Sequence, residues 1–196
     1  MFNRAIDWGE RLVLALLFAQ FAALNIHSND PVNWSFLTLE TMTVFFVLIR
    51  RQALSMTEHP GDWVLAFAGT LFPLLVAPSG DPSASWPALT LIVIGTAMAA
   101  SAKLSLNRRF GIAPANRGIQ ASWAYSVVRH PMYAGYVVAQ AGYLLHNPTA
   151  RNLLIYLAAW CLQAARIWRE ERHLMKDPAY QAYASKVRFR LVPGIY

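Results

Sequence analysis

Residues 88–106 read Ala-Leu-Thr-Leu-Ile-Val-Ile-Gly-Thr-Ala-Met-Ala-Ala-Ser-Ala-Lys-Leu-Ser-Leu, an apolar run whose only charge, Lys103, falls near its C-terminal end. Such a run crosses the hydrocarbon core of a bilayer as a helix, and a lysine so placed can snorkel to the interface. Working outward, five further apolar runs are bounded by turn formers or charges: Leu12–Ile26, Trp34–Ile49, Trp63–Val76, Met132–Leu145 and Leu153–Ile167. They hold only about 14 to 16 residues each, short of the roughly 20 of an untilted span, so tryptophan and polar flanks must complete them. Asp7 and Glu10 are out of place in a cleaved leader, which favours retention of the first run.

Composition agrees. The 196 residues are 56% hydrophobic and 14% charged, and the mean hydropathy is +0.32, high for a chain folded in water. The sequence therefore predicts an all-α, polytopic membrane bundle of about six transmembrane helices with a C-terminal cytosolic helical tail. It divides into 1–106, with four passes, and 107–196, with a cytosolic connector, a transmembrane hairpin and the tail.

Six crossings make the loops alternate sides, and the basic residues follow the alternation. Arg4, Arg11, Arg50, Arg51, Lys103, Arg108, Arg109, Arg117 and Arg129 fall on one side, with Arg166, Arg169, Arg172, Lys176, Lys186, Arg188 and Arg190. Arg151 alone falls on the other. Both termini and the two long polar segments, Asn107–His130 and Arg169–Tyr196, are thus expected in the cytosol, in the plasma membrane if the source is bacterial. The net charge of +7 is then a topology signal that meets anionic lipid headgroups, and it does not point to nucleic acid. The single cysteine, Cys161, excludes an internal disulfide and reads as a small packed residue; His27, His59, His146 and His173 show no metal spacing.

Two stretches of the cytosolic face carry chemistry. Tyr125-Ser-Val-Val-Arg-His-Pro-Met-Tyr-Ala-Gly135 leads into the fifth pass, with proline suited to the first helical turn and free N–H groups that attract negative charge. Ala134, Gly135, Ala139, Ala141 and Gly142 then offer a small-residue face, expected to meet the sixth pass in a tight hairpin. Arg166 ends that sixth pass, and Glu170 lies four residues on, so the two share a face as an ion pair with Glu171 beside them. Adjacent carboxylates at a helix C-terminus need compensation, either from Arg169, Arg172 or the Arg108–Arg109 pair, or from a ligand. Glu40, Gln20 and Gln140 lie within passes; Glu40 is expected away from this face, protonated or bonded to a neighbouring helix, and the glutamines are expected to bond between helices.

From Arg108 onward the sequence resembles the isoprenylcysteine carboxyl methyltransferase family of integral-membrane methyltransferases. The resemblance rests on Phe110–Gly118, Tyr125, Arg129-His130-Pro131-Met132-Tyr133-Ala134-Gly135, Arg166 four before Glu170-Glu171, Leu174, Tyr180, Tyr183 and Arg190-Leu191-Val192-Pro193. One departure is Trp123-Ala124, where family members usually have a glycine, often followed by proline. The resemblance implies S-adenosylmethionine as cofactor, held at the cytosolic face by the last two passes and the tail, with no metal, and a lipophilic or lipid-modified acceptor entering from the bilayer. Tyr125, Tyr133 and Tyr183 suit the adenine, Glu170 or Glu171 the ribose diol or the ammonium, and Arg129 or His130 the carboxylate. Arg166 and Arg190 are the candidates for orienting an anionic acceptor. A sterol-type reductase would instead use Arg108, Arg109 and Arg117 for the phosphate of NADPH, and a membrane scaffold or transporter subunit would have no use for the Arg166–Glu171 group.

Overall fold

The computed structural model describes residues 8–12, 15, 16, 18, 19, 22, 23, 31–79 and 85–195. Most of the expected first pass, with Gln20 and His27, lies outside the described residues. The elements are α1 (Pro31–Ile49), β1 (Ser55–Met56), α2 (Pro60–Leu71), α3 (Trp86–Leu106), β2 (Ala115–Asn116), α4 (Pro131–His146), α5 (Ala150–Leu174) and α6 (Pro178–Lys186). The described residues are mostly helical as expected, with one ladder among them that the sequence did not announce. In it Ser55 pairs with Asn116 and Met56 with Ala115, antiparallel, tying the loop after α1 to the connector before α4.

The helices begin where local chemistry dictates. Proline occupies the first turn of α2, α3, α4 and α6, where its missing N–H costs nothing. Side chains cap three of the helix starts: His59 accepts from the Gly61 N–H, Thr149 from that of Asn152 and Asp177 from that of Ala179. Among the described residues one helical stretch, Trp86–Arg109, is long and apolar enough to cross a membrane, while Trp34–Ile49 and Pro60–Leu75 are shorter apolar helices. Large apolar side chains point outward as well as inward: Val93, Ile94 and Leu104 of α3 are exposed while Ile92, Ala99 and Ala102 are buried. Helices apolar all round suit a lipid surrounding. Cys161 is also exposed, not packed.

The small-residue face of α4 does not meet α5. It packs on α3, because the connector returns α4 alongside its predecessor and α3 carries a matching row of small residues. A Cβ on Gly95 would stand 2.2 Å from the Ala139 backbone nitrogen, one on Gly135 2.5 Å from that of Ala99, and one on Gly142 2.7 Å from that of Ile92. Backbone therefore lies on backbone along the seam. The link from α4 to α5 is made by larger groups: Trp160 donates to Gln140 at 2.8 Å, the interhelical bond expected of that glutamine, and Tyr143 meets Tyr156 edge-on.

Lys103 departs from its expected place at the interface. It is fully buried, its Nζ donates to the Leu39 carbonyl at 2.6 Å and to Thr43, and it lies over the Tyr136 ring. Its reach across the bundle satisfies the ammonium inside the protein and joins α3 to α1. A second buried tie starts from residues 8–12, which are helical. Glu10 pairs with Arg50 at 2.7 Å and accepts from the Ile112 N–H, fixing the connector from outside the site.

The seam is testable. Gly95→Ala places a methyl group where the Ala139 backbone stands, so α3 and α4 must part; we expect the melting temperature of the detergent-purified protein to fall by several degrees, while Gly9→Ala, with open space around it, leaves it unchanged.

Candidate active site

The start of α4, the last turns of α5 and the C-terminal tail converge because the tail pairs with the connector backbone. The Arg129 N–H donates to the Phe189 carbonyl at 2.9 Å and the His130 N–H to that of Arg190 at 2.8 Å. Asp177 adds a second clasp, accepting from Asn116.

At the centre lies Glu171, 4% exposed. Its Oε1 faces His130 Nε2 at 2.9 Å, accepts from the Tyr180 hydroxyl at 2.9 Å and lies 3.1 Å from Arg129 Nε. Its Oε2 accepts from Arg190 Nε at 3.3 Å. Burial alone would raise the carboxyl's pKa, but the bond and charge of His130, the Tyr180 hydroxyl and Arg129 outweigh it and hold the group at about 2. The compensation expected for this carboxylate thus comes from Arg129, His130, Tyr180 and Arg190. Arg169 turns instead to Asp62 at 3.2 Å, Arg172 to the Trp168 ring, Arg108 to the Ile49 carbonyl and Arg109 to Gln120.

Glu170 has a different setting. It is half-buried and accepts from the Tyr133 hydroxyl at 3.1 Å. The expected ion pair between Arg166 and Glu170 is replaced by a bridge through this tyrosine, whose ring carries the Arg166 guanidinium at 5.3 Å. Arg166 donates to the Ile112 carbonyl at 3.1 Å, and its stem fills the space that the absent Cβ of Gly69 leaves on α2. It is turned across the bundle by these partners, so spacing on α5 alone misplaces it.

Two cavities flank this core. The first, about 750 Å³ with its mouth included, is lined by Tyr125, Arg129, His130, Tyr133, Glu170 and Tyr183, the cofactor candidates from sequence; by Arg109 and Arg117, named there for a reductase; by Gly118 and Tyr180, which entered through the resemblance without a role; and by Gln120, which was not singled out. Glu171 and Arg190 stand behind its wall. The role of Tyr180 was hidden because only the turn at Asp177-Pro178 returns α6 against α5; no spacing rule encodes that return. Tyr183 donates to the Tyr125 carbonyl at 2.7 Å. Burial pushes its phenol up to about 12, and burial with the neighbouring Glu171 raises that of Tyr180 further, so both remain hydroxyl donors at neutral pH. This lining could hold a ligand with aromatic, hydroxyl and charged parts: four tyrosine rings, one carboxylate with capacity to accept, and three arginines.

The second cavity, about 1050 Å³ with its openings, is mainly apolar and lies among α1, α2, α4 and α5. Phe36, Leu74 and Tyr156 line it, together with Arg166, Gln163 and Glu40. Glu40 thus faces a chamber of the site, contrary to the expectation that it lies away from it; α1 is brought round by the Lys103 tie. Gly111 and Met132 are common walls of both cavities.

With this geometry the relatives can be considered. Residues 88–176 match the isoprenylcysteine carboxyl methyltransferase (ICMT) family. Over those residues, a little under half of its length, the chain is similar to this methyltransferase family. No curated protein matches the chain. Among solved structures it is similar to the eukaryotic intramembrane Ras methyltransferase ICMT determined without a monobody, at 19% identity over 93% of this chain and 74% of that one, with a TM-score of 0.49.

Trp123, at the family's usual glycine, has φ of +58° and a side chain 78% exposed. The turn keeps a left-handed backbone at a residue that pays for it in steric strain. Trp123→Gly should stabilise the fold by about 1 kcal/mol of relieved strain, read as a higher melting temperature, whereas Trp123→Ala should not.

The Glu171 network carries a pH signature. Because its folded pKa is depressed from 4.5 to about 2, its contribution is complete above pH 4.5 and disappears as pH falls towards 2. The gap in melting temperature between wild type and Glu171→Gln should therefore be constant from pH 7 to about 5 and close between 4.5 and 2.

Proposed function

We propose that the protein transfers a methyl group from S-adenosylmethionine, bound in the tyrosine-lined cavity, to a lipophilic acceptor held in the apolar chamber. The observation that carries this reading is the shared wall: a charged, aromatic cavity and an apolar chamber meet at Gly111 and Met132, as transfer from a water-soluble donor to a bilayer-soluble acceptor requires. When bound, the cofactor supplies an electrophilic methyl group on a cationic sulfur.

In this reading Tyr125, Tyr133 and Tyr183 enclose the adenine and Glu170 takes the ribose hydroxyls or the ammonium. Arg109 and Arg117, which line the cavity, take the carboxylate. Arg129, His130 and Arg190 act through Glu171, shaping the cavity wall and not touching the acceptor. Arg166, braced by Tyr133 and Ile112, orients an anionic acceptor group such as a carboxylate, which is already ionised near neutrality and calls for no strong base. Positioning and exclusion of water by the surrounding helices then supply the rate. The basic residues distributed by loop side support six passes, with the termini and the cofactor cavity facing the cytosol.

Arg109 and Arg117 are also what the phosphate of NADPH would use, so the same titration must include it. Calorimetry of the detergent-purified protein should show binding of S-adenosylhomocysteine and none of NADPH. Glu170→Ala should weaken the former at least about tenfold, the loss of a charged hydrogen bond, with an unchanged melting temperature. NADPH binding without S-adenosylhomocysteine binding would replace this reading with a reductase.

A further inference from the structure

The chamber is not uniformly apolar. Gln163 is 4% exposed and lines the chamber, and its side-chain oxygen has no hydrogen-bond partner. Its counterpart Gln140 is satisfied by Trp160, so helix packing accounts for one glutamine and not the other. Glu40 lines the chamber from α1, and the nearby ammonium of Lys103 is already committed to Leu39 and Thr43. Gln163 and Glu40 thus both face the chamber, and the Gln163 oxygen is without a donor. A buried acceptor left unpaired is costly, and among lipid-surrounded helices such groups mark the path of a substrate.

Their depth is informative. Gln163 precedes Arg166 by three residues on α5, about 4.5 Å along the helix at 1.5 Å per residue, on the side away from Glu170. A ligand whose anionic group meets Arg166 would therefore present to Gln163 the first few atoms of its chain.

We propose that the chamber selects an acceptor lipid bearing a hydroxyl group a few atoms from its anionic group, and that Gln163 receives this donor. The inference rests on the chamber being the acceptor site. It makes Gln163 a specificity-determining residue and excludes a plain hydrocarbon chain as the preferred occupant.

The test compares two probes, 3-hydroxyhexadecanoate and hexadecanoate, by calorimetric titration of the full chain in detergent. The wild type should bind the hydroxylated probe about tenfold more tightly, and Gln163→Leu should erase that preference while keeping its affinity for hexadecanoate. Leu74→Trp, which fills the chamber, should abolish both. Equal binding of the two probes, or a preference that survives Gln163→Leu, overturns the proposal while Leu74→Trp still blocks binding. Binding of neither probe, or binding indifferent to Leu74→Trp, overturns the chamber as acceptor site and the proposal with it.

Discussion

A carboxylate withdrawn from water stays ionised only if its surroundings return what hydration supplied, and Glu171 is so placed. Arg129 and His130 come from the connector, Tyr180 from α6 and Arg190 from the tail. The distant connector and the two segments that follow α5 are thereby fixed to its end, and the cavity beside them exists because they meet. Removing the carboxylate would leave cationic groups buried without a counter-charge, so the network is a structural keystone before it is anything else.

The second constraint is spatial. Where α3 and α4 touch through Gly95, Ala99, Gly135, Ala139 and Gly142, backbones approach closely, and no room remains between them. Space is left on the other side of α4, towards α1, α2 and α5, and there the apolar chamber lies. Close packing runs along one face of α4 and the chamber begins beside it, with Ala139 belonging to both and Met132, Tyr136 and Gln140 forming the wall.

Between the two cavities, Tyr133 joins both sets of charges. Its hydroxyl serves Glu170 and its ring serves Arg166, so the carboxylate and the guanidinium are coupled without neutralising each other directly. Each keeps capacity for a ligand of opposite charge, one in each cavity. A direct ion pair along α5 would have consumed both.

The sequence by itself determined the helical character, the positions of the turns and six of the residues that line the first cavity, Tyr125, Arg129, His130, Tyr133, Glu170 and Tyr183. Apolar runs, prolines at helix starts and the Arg-His-Pro and Glu-Glu clusters are local signals whose physical meaning does not depend on distant partners. Only the tertiary structure decided which of these groups serve one another. The face of α4 turned to α3, Lys103 turned inward, Arg166 turned across to Ile112 and Glu40 opened into the chamber. Tyr180 came onto Glu171 by a turn that no periodicity encodes. Helical spacing fixes the neighbours of a residue on its own helix; its partners elsewhere depend on how the helices pack, and for Arg166 those partners outcompeted the neighbour four residues away.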